Sequence, residues 1–231
     1  MKKLVAFAVF GVLGAGSDAA TLVYDNIETP SAVSAGTSDA ETNAIWGDQV
    51  TLINTGMLSS FKHGIFNSTS GGNTGTLLTA TVEYKFYDLG TTPYTSGALS
   101  ARPLLGTFNG TINFGTGLNA GFFSIVSYTN LDSLNINLTN ANIMITQQVT
   151  AFTGTTNRLG IVTYTTDNIG ASYGGNSWYK KNSTSEGLFA FAAPTSNKIA
   201  YQIGVNAVPE PATMAVLGLG AAALLRRRRK A

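Results

Sequence analysis

Residues 77–87 carry the clearest pattern in the chain. Val82, Tyr84 and Phe86 alternate with Thr81, Glu83, Lys85 and Tyr87, a period of two that sends the two sets to opposite sides of a β-strand. Shorter alternating segments recur at residues 21–25, 48–54, 58–66, 106–114, 121–128, 133–138, 142–152, 159–165, 177–181, 187–192 and 198–205. Within them Val50 and Leu52 share a face with Asn54, and Phe61, His63 and Ile65 oppose Leu58, Ser60 and Lys62. Leu134, Ile136 and Leu138 alternate with Asn135, Asn137 and Thr139. Turns rich in Gly, Asn and Asp separate these segments, and residues 29–42 read as a Ser/Ala/Thr-rich connection. No stretch between residues 20 and 207 shows a helical stripe. The pattern predicts an all-β domain, an antiparallel β-sandwich of jelly-roll type over residues 20–205. No internal repeat is present, which disfavours a β-helix or a propeller.

The two ends follow different rules. Lys2 and Lys3 precede an apolar run over residues 4–13 and small residues through Ala20, the layout of a secretory signal peptide with a short helix. Cleavage after Ala19 places Ser17 and Ala19 at the two small-residue positions, so residues 1–19 are assigned to it. At the other end, residues 206–231 hold Pro209-Glu210-Pro211, an apolar run over residues 212–225, then Arg226, Arg227, Arg228, Arg229 and Lys230. The prolines favour an extended, accessible segment. The apolar run, as a helix, spans roughly 21 Å of a bilayer core of about 30 Å, a short transmembrane helix helped by snorkelling arginines. The cations predict a cytoplasmic C-terminus.

This order of proline motif, apolar run and arginine cluster resembles the PEP-CTERM sorting signal of Gram-negative bacterial envelope proteins. The Leu-Pro-x-Thr-Gly signature of a Gram-positive sortase tail is absent. The resemblance covers only the last two dozen residues. It implies a membrane-embedded exosortase and the secretion machinery as partners, with Val208, Pro209, Glu210 and Pro211 as the processing motif. It also implies a transient stay in the inner membrane, then the cell surface or extracellular matrix, in company with exopolysaccharide and biofilm.

Removing both ends changes the charge. Between Ala20 and Val208 seven cations face ten acids, so the domain carries about −3 although the whole chain is +2. No basic patch remains for nucleic acid. Cysteine is absent, so no disulfide can form and packing must stabilise a domain large enough to do so. Charged residues make up 11% of the chain, and Thr, Ser, Asn and Gly fill the remaining surface positions.

Candidate chemistry is sparse. His63 is the only histidine, on a strand face with Phe61 and Ile65, and no Gly-x-Ser-x-Gly elbow accompanies it, which argues against a triad. One His and no Cys argue against zinc. Glu83, Glu186, Asp48, Asp88, Asp132 and Asp167 form no spaced carboxylate pair of the glycosidase kind. No cofactor is expected. Loop calcium stays open through Asp25-Asn26, Asp39 with Glu41, or Asp167-Asn168, with no site assigned. Trp178, Tyr179 and Trp46 are the candidate rings for stacking on sugars, and Trp178 and Tyr179 must face opposite sides of one strand. Asn67, Asn109, Asn137 and Asn182 sit in Asn-x-Ser/Thr sequences.

The sequence thus favours a non-enzymatic exported surface or matrix protein with weak binding of extracellular polysaccharide. A polysaccharide-degrading enzyme on a jelly-roll scaffold is the rival. Ice binding is a third class, which a regular threonine grid would support. Thr79 with Thr81, and Thr163 with Thr165, are too few and isolated in the sequence to form one.

Overall fold

The computed structural model describes residues 20–27, 34–36, 44–95, 98–156, 158–164, 166–172, 177–181, 185–189 and 198–206. The expected signal peptide, the proline motif and the apolar run with its cations lie outside them. Among the described residues fifteen strands form: β1 Thr21–Asp25, β2 Ser34–Gly36, β3 Ile45–Thr51, β4 Gly56–Asn67, β5 Thr76–Gly90, β6 Leu104–Asn119, β7 Phe123–Tyr128, β8 Asn137–Leu138, β9 Asn142–Gly154, β10 Leu159–Tyr164, β11 Ala171–Ser172, β12 Ser177–Lys181, β13 Ser185–Phe189, β14 Lys198–Ile199 and β15 Tyr201–Asn206. Among the described residues helix is limited to three short 3-10 turns, Ser70–Gly72, Leu99–Ala101 and Leu131–Leu134. No described helix is long and apolar enough to cross a membrane.

Two antiparallel sheets result. The seven-stranded sheet runs β13-β12-β3-β9-β5-β6, with β11 on β3. The eight-stranded sheet is built around β4. Phe61, Lys62 and His63 pair with both β15 and β7, so those two strands occupy opposite edges of β4. Ile65 and Phe66 pair with both β7 and β10, which puts β10 beyond β15 on the same edge. The order β1-β15-β4-β7 therefore faces β3-β9-β5-β6, while β10 to β14 form a block between β9 and β15 in the chain.

Alternation decides the core. Ala80, Val82, Tyr84 and Phe86 of β5 are buried against Phe61 of β4. The Phe61 ring meets those of Tyr84, Phe86 and Phe108 edge-on, with centroids 5.1, 5.6 and 5.9 Å away, the geometry aromatic quadrupoles favour. Gly110 makes room for this packing, since a Cβ there would lie 2.3 Å from the Tyr128 ring of the other sheet.

Two segments depart from the sequence pattern. Residues 133–138 are mostly not a strand: the turn Leu131–Leu134 is flanked by Asn130 and Asn135, both left-handed with φ 58° and 55°. Asparagine tolerates that conformation, and two such residues break the period of two. Leu134 is consequently exposed while Ile136 and Leu138 are buried. The connection at residues 29–42 contains β2, which pairs with β10.

Candidate functional site

The inner polar cluster holds His63. Its Nε2 lies 2.5 Å from the Tyr84 hydroxyl, which is 3.2 Å from that of Tyr128. Burial pushes the imidazole down to about 3, against smaller raising contributions from the Gly64 backbone and the Gln147 amide. The adjoining cavity, lined by Trp46, His63, Ile65, Gln147 and Leu159, offers water-sized centres about 20 Å³, room for about one water and not for a sugar. A neutral histidine in this setting is part of the core.

The outer face of the seven-stranded sheet is built differently. Register places Asn113, Thr79 and Thr153 in one row, and Thr111, Thr81 and Ala151 in the next. A third row holds Asn109, Glu83 and Gln148, and a fourth Thr107, Lys85 and Thr146. Rows on one strand face repeat at about 6.8 Å and neighbouring strands at about 4.8 Å. Thr79 Oγ1 is 2.6 Å from Thr153 Oγ1, and Thr81 Oγ1 is 3.4 Å from Thr111 Oγ1. On β6 the four residues Thr107, Asn109, Thr111 and Asn113 are all exposed. The result is a patch of hydroxyls and amides without charge in its first two rows.

The third and fourth rows run on into a cleft. Gln148 pairs with Ile45, Ile45 with Lys180, and Lys180 with Glu186; Thr146 pairs with Gly47, and Gly47 with Trp178. Glu83, Lys85, Tyr87, Ser100, Lys180 and Glu186 line a depression with about 170 Å³ of space for water-sized centres. Each carboxylate has its own cation. Lys85 Nζ donates to Glu83 at 2.6 Å, and Lys180 Nζ to Glu186 at 3.3 Å. The Leu99 N–H also donates to Glu186, which ties the turn Leu99–Ala101 to β13. Burial raises the Tyr87 phenol above its ordinary range, so it stays a neutral donor at the rim. Glu83 and Glu186 sit four strands apart in one row, about 19 Å along the sheet.

Sequence-selected rings behave otherwise than expected. Trp178 does face this outer side, but Leu89, Tyr94, Leu99 and Met144 pack over it and leave it 2% exposed. Trp46 is 6% exposed within the main core. Neither is a stacking platform, because a turn covers the first and the opposing sheet covers the second. The Tyr179 side chain lies outside the described residues. Thr163 is buried. Thr79 and Thr81 are joined across the sheet by threonines and asparagines that sequence spacing did not connect, although the T-x-N-x-T-x-N alternation of residues 107–113 was available as a signal. Asn67 is buried and donates to the carbonyls of Gly75 and Leu118, a packing role. Among the described residues no cluster of metal-ligating side chains forms, and the oxygens of Asp25, Asn26 and Asp167 accept from protein donors.

With the geometry in place, comparison with known proteins adds one finding. Residues 207–230 match the family model described as the PEP-CTERM protein-sorting motif. The molecule is thus an exported all-β protein addressed by its C-terminal segment. More narrowly, the chain carries a PEP-CTERM signal, with an exosortase as its processing partner and the cell surface as its destination. No curated protein and no solved structure matches the chain.

Proposed function

We propose that the domain is a non-catalytic surface or matrix module that holds extracellular polysaccharide on the outer face of its seven-stranded sheet. The observation that carries this reading is the run of hydroxyl and amide rows on β6, β5 and β9 opening into a cleft rimmed by Tyr87, Lys85 and Lys180. Such groups both donate and accept hydrogen bonds, as sugar hydroxyls require, and the row spacing repeats as a polymer does. The engagement of Glu83 by Lys85, and of Glu186 by Lys180 and the Leu99 N–H, supports binding over hydrolysis, in which one of two carboxyls must be free to give its proton to the leaving group. A jelly-roll reading of the fold is supported by β1-β15-β4-β7 lying over β3-β9-β5-β6, the order that two Greek keys generate.

The decisive assay is co-sedimentation of the exported protein with the producer's own matrix polysaccharide, beside a reducing-sugar release assay. Binding without release is expected, and it should survive moderate salt because the first two rows are uncharged and the lysines of the cleft are each paired with a glutamate. Thr79→Val with Thr111→Val should abolish it. Sugar release would favour the enzyme instead. The threonine rows also favour a second reading, ice binding, which thermal hysteresis without polysaccharide retention would support.

A further inference from the structure

A covalent bond other than a disulfide is within reach in this cysteine-free domain. Asp167 and Lys198 are both anchored by the end of β1. The N–H groups of Asn168 and Ile169 donate to the Asp25 carbonyl at 2.8 and 3.1 Å, which fixes the loop holding Asp167. Next along, Asn26 donates from Nδ2 to the Ile199 carbonyl at 2.7 Å and accepts from the Tyr201 N–H at 2.8 Å, which fixes β14. Between these anchors Lys198 Nζ contacts Asp167 Oδ2 directly, with the two side chains 14% and 11% exposed.

The Asp167 carboxyl is surrounded by donors. Tyr24 Oη donates to Oδ1 at 3.0 Å, and the Ser172 N–H donates to Oδ2 at 3.0 Å. A second acid stands against the same strand: Asp48, 1% exposed, accepts from the N–H of Ile199 and of Gln49, each at 2.9 Å. Burial pushes the Asp48 carboxyl up to about 7; the two backbone donors and Lys198 oppose this, and Asp167 adds to it. Asp48 can therefore give or take a proton near neutrality.

We infer that Lys198 and Asp167 join in an intramolecular isopeptide bond. In the reacting pair a proton passes from the Lys198 ammonium to the Asp167 Oδ2 that it contacts, leaving an amine beside a carboxylic acid. The free amine then attacks Cγ of Asp167, forming the C–N bond. Tyr24 steadies Oδ1, on which charge develops, while the Ser172 N–H holds Oδ2, the oxygen that departs. A proton passes from the nitrogen to the departing Oδ2 hydroxyl; the C–O bond breaks and one water leaves. No oxidant or cofactor is consumed. Contact between the two groups replaces the encounter that would otherwise limit the reaction. The link would close a loop over residues 167–198, the stretch carrying β11, β12 and β13, and so brace one wall of the outer cleft independently of what binds there.

Peptide mapping of the purified full-length chain by tandem mass spectrometry tests this directly. The expected product is a branched peptide joining residues 167 and 198, one water lighter than its two linear parts. Lys198→Arg should return both linear peptides and abolish the water loss. Recovery of Asp167 and Lys198 entirely in linear peptides from the folded unaltered chain overturns the inference. So does a water loss that persists in Lys198→Arg, since it would then arise elsewhere.

Discussion

On β5, Ala80, Val82, Tyr84 and Phe86 point between the sheets and are buried, whereas Thr79, Thr81, Glu83 and Lys85, one step along, stay partly exposed. The two rows share one backbone and its hydrogen bonds, so their difference isolates what side chains contribute. The inner row works through shape and removal of apolar area from water. The outer row keeps its hydrogen-bonding capacity available to something outside the protein. A stability assay should register one row and a binding assay the other.

The largest effect should come from the inner row. Phe86→Ala removes a ring packed against Phe61 and Phe108 and should cost about 3–5 kcal/mol in chemical denaturation. A loss below about 1 kcal/mol would show that the sheets close over the gap, and the contrast between faces would weaken.

Next come the buried polar groups on the inner side, which sharpen the comparison through pH. His63 ordinarily titrates at 6.5 and in the fold at about 3. Between those values the unfolded chain binds a proton the fold refuses, so stability rises with pH across that window. Asp48 moves from 3.8 to about 7. There the fold keeps a proton the unfolded chain has released, so stability falls as pH rises. Each slope approaches about 1.4 kcal/mol per pH unit, with opposite signs. Unfolding free energy should therefore be nearly level from pH 4.5 to 6. Asp48→Asn should make it climb with pH, and His63→Gln should make it fall; parallel profiles for all three proteins would refute the assignment.

The smallest stability effects belong outside. Thr79→Val and Lys85→Ala should each change unfolding by less than about 0.5 kcal/mol, measured in the same denaturation series. If either instead matches Phe86→Ala, the outer face is structural and its rows have lost their claim to a ligand.

Local pattern made much of the inner face legible. Strands at residues 21–25 and 177–181 fall where alternation put them, and residues 77–87 lengthen only to Thr76–Gly90. Legibility stopped where geometry depends on partners distant in sequence. Which side of its strand Trp178 takes could be narrowed to two choices, but the cover supplied by Leu99 could not be foreseen. The outer rows combine β5 positions with partners 22 (Lys85 and Thr107) to 74 (Thr79 and Thr153) residues away, and no spacing within β5 announces that Thr111 and Thr153 flank it. Asp167 was visible as a candidate loop carboxylate and Lys198 only as one cation among seven. Their meeting is a product of the anchors at Asp25 and Asn26.

The place of β15 sets an order of events in time. It lies between β1 and β4, and Thr21 pairs with Val205, so the first described strand to be synthesised waits for the last before its edge is satisfied. Loop closure over so long a span makes this a late and slow step. Only Ala207 and Val208 separate β15 from Pro209. A chain that stops before Tyr201 lacks both an interior strand and its address, so the sorting signal is carried only by molecules already long enough to close their sheet.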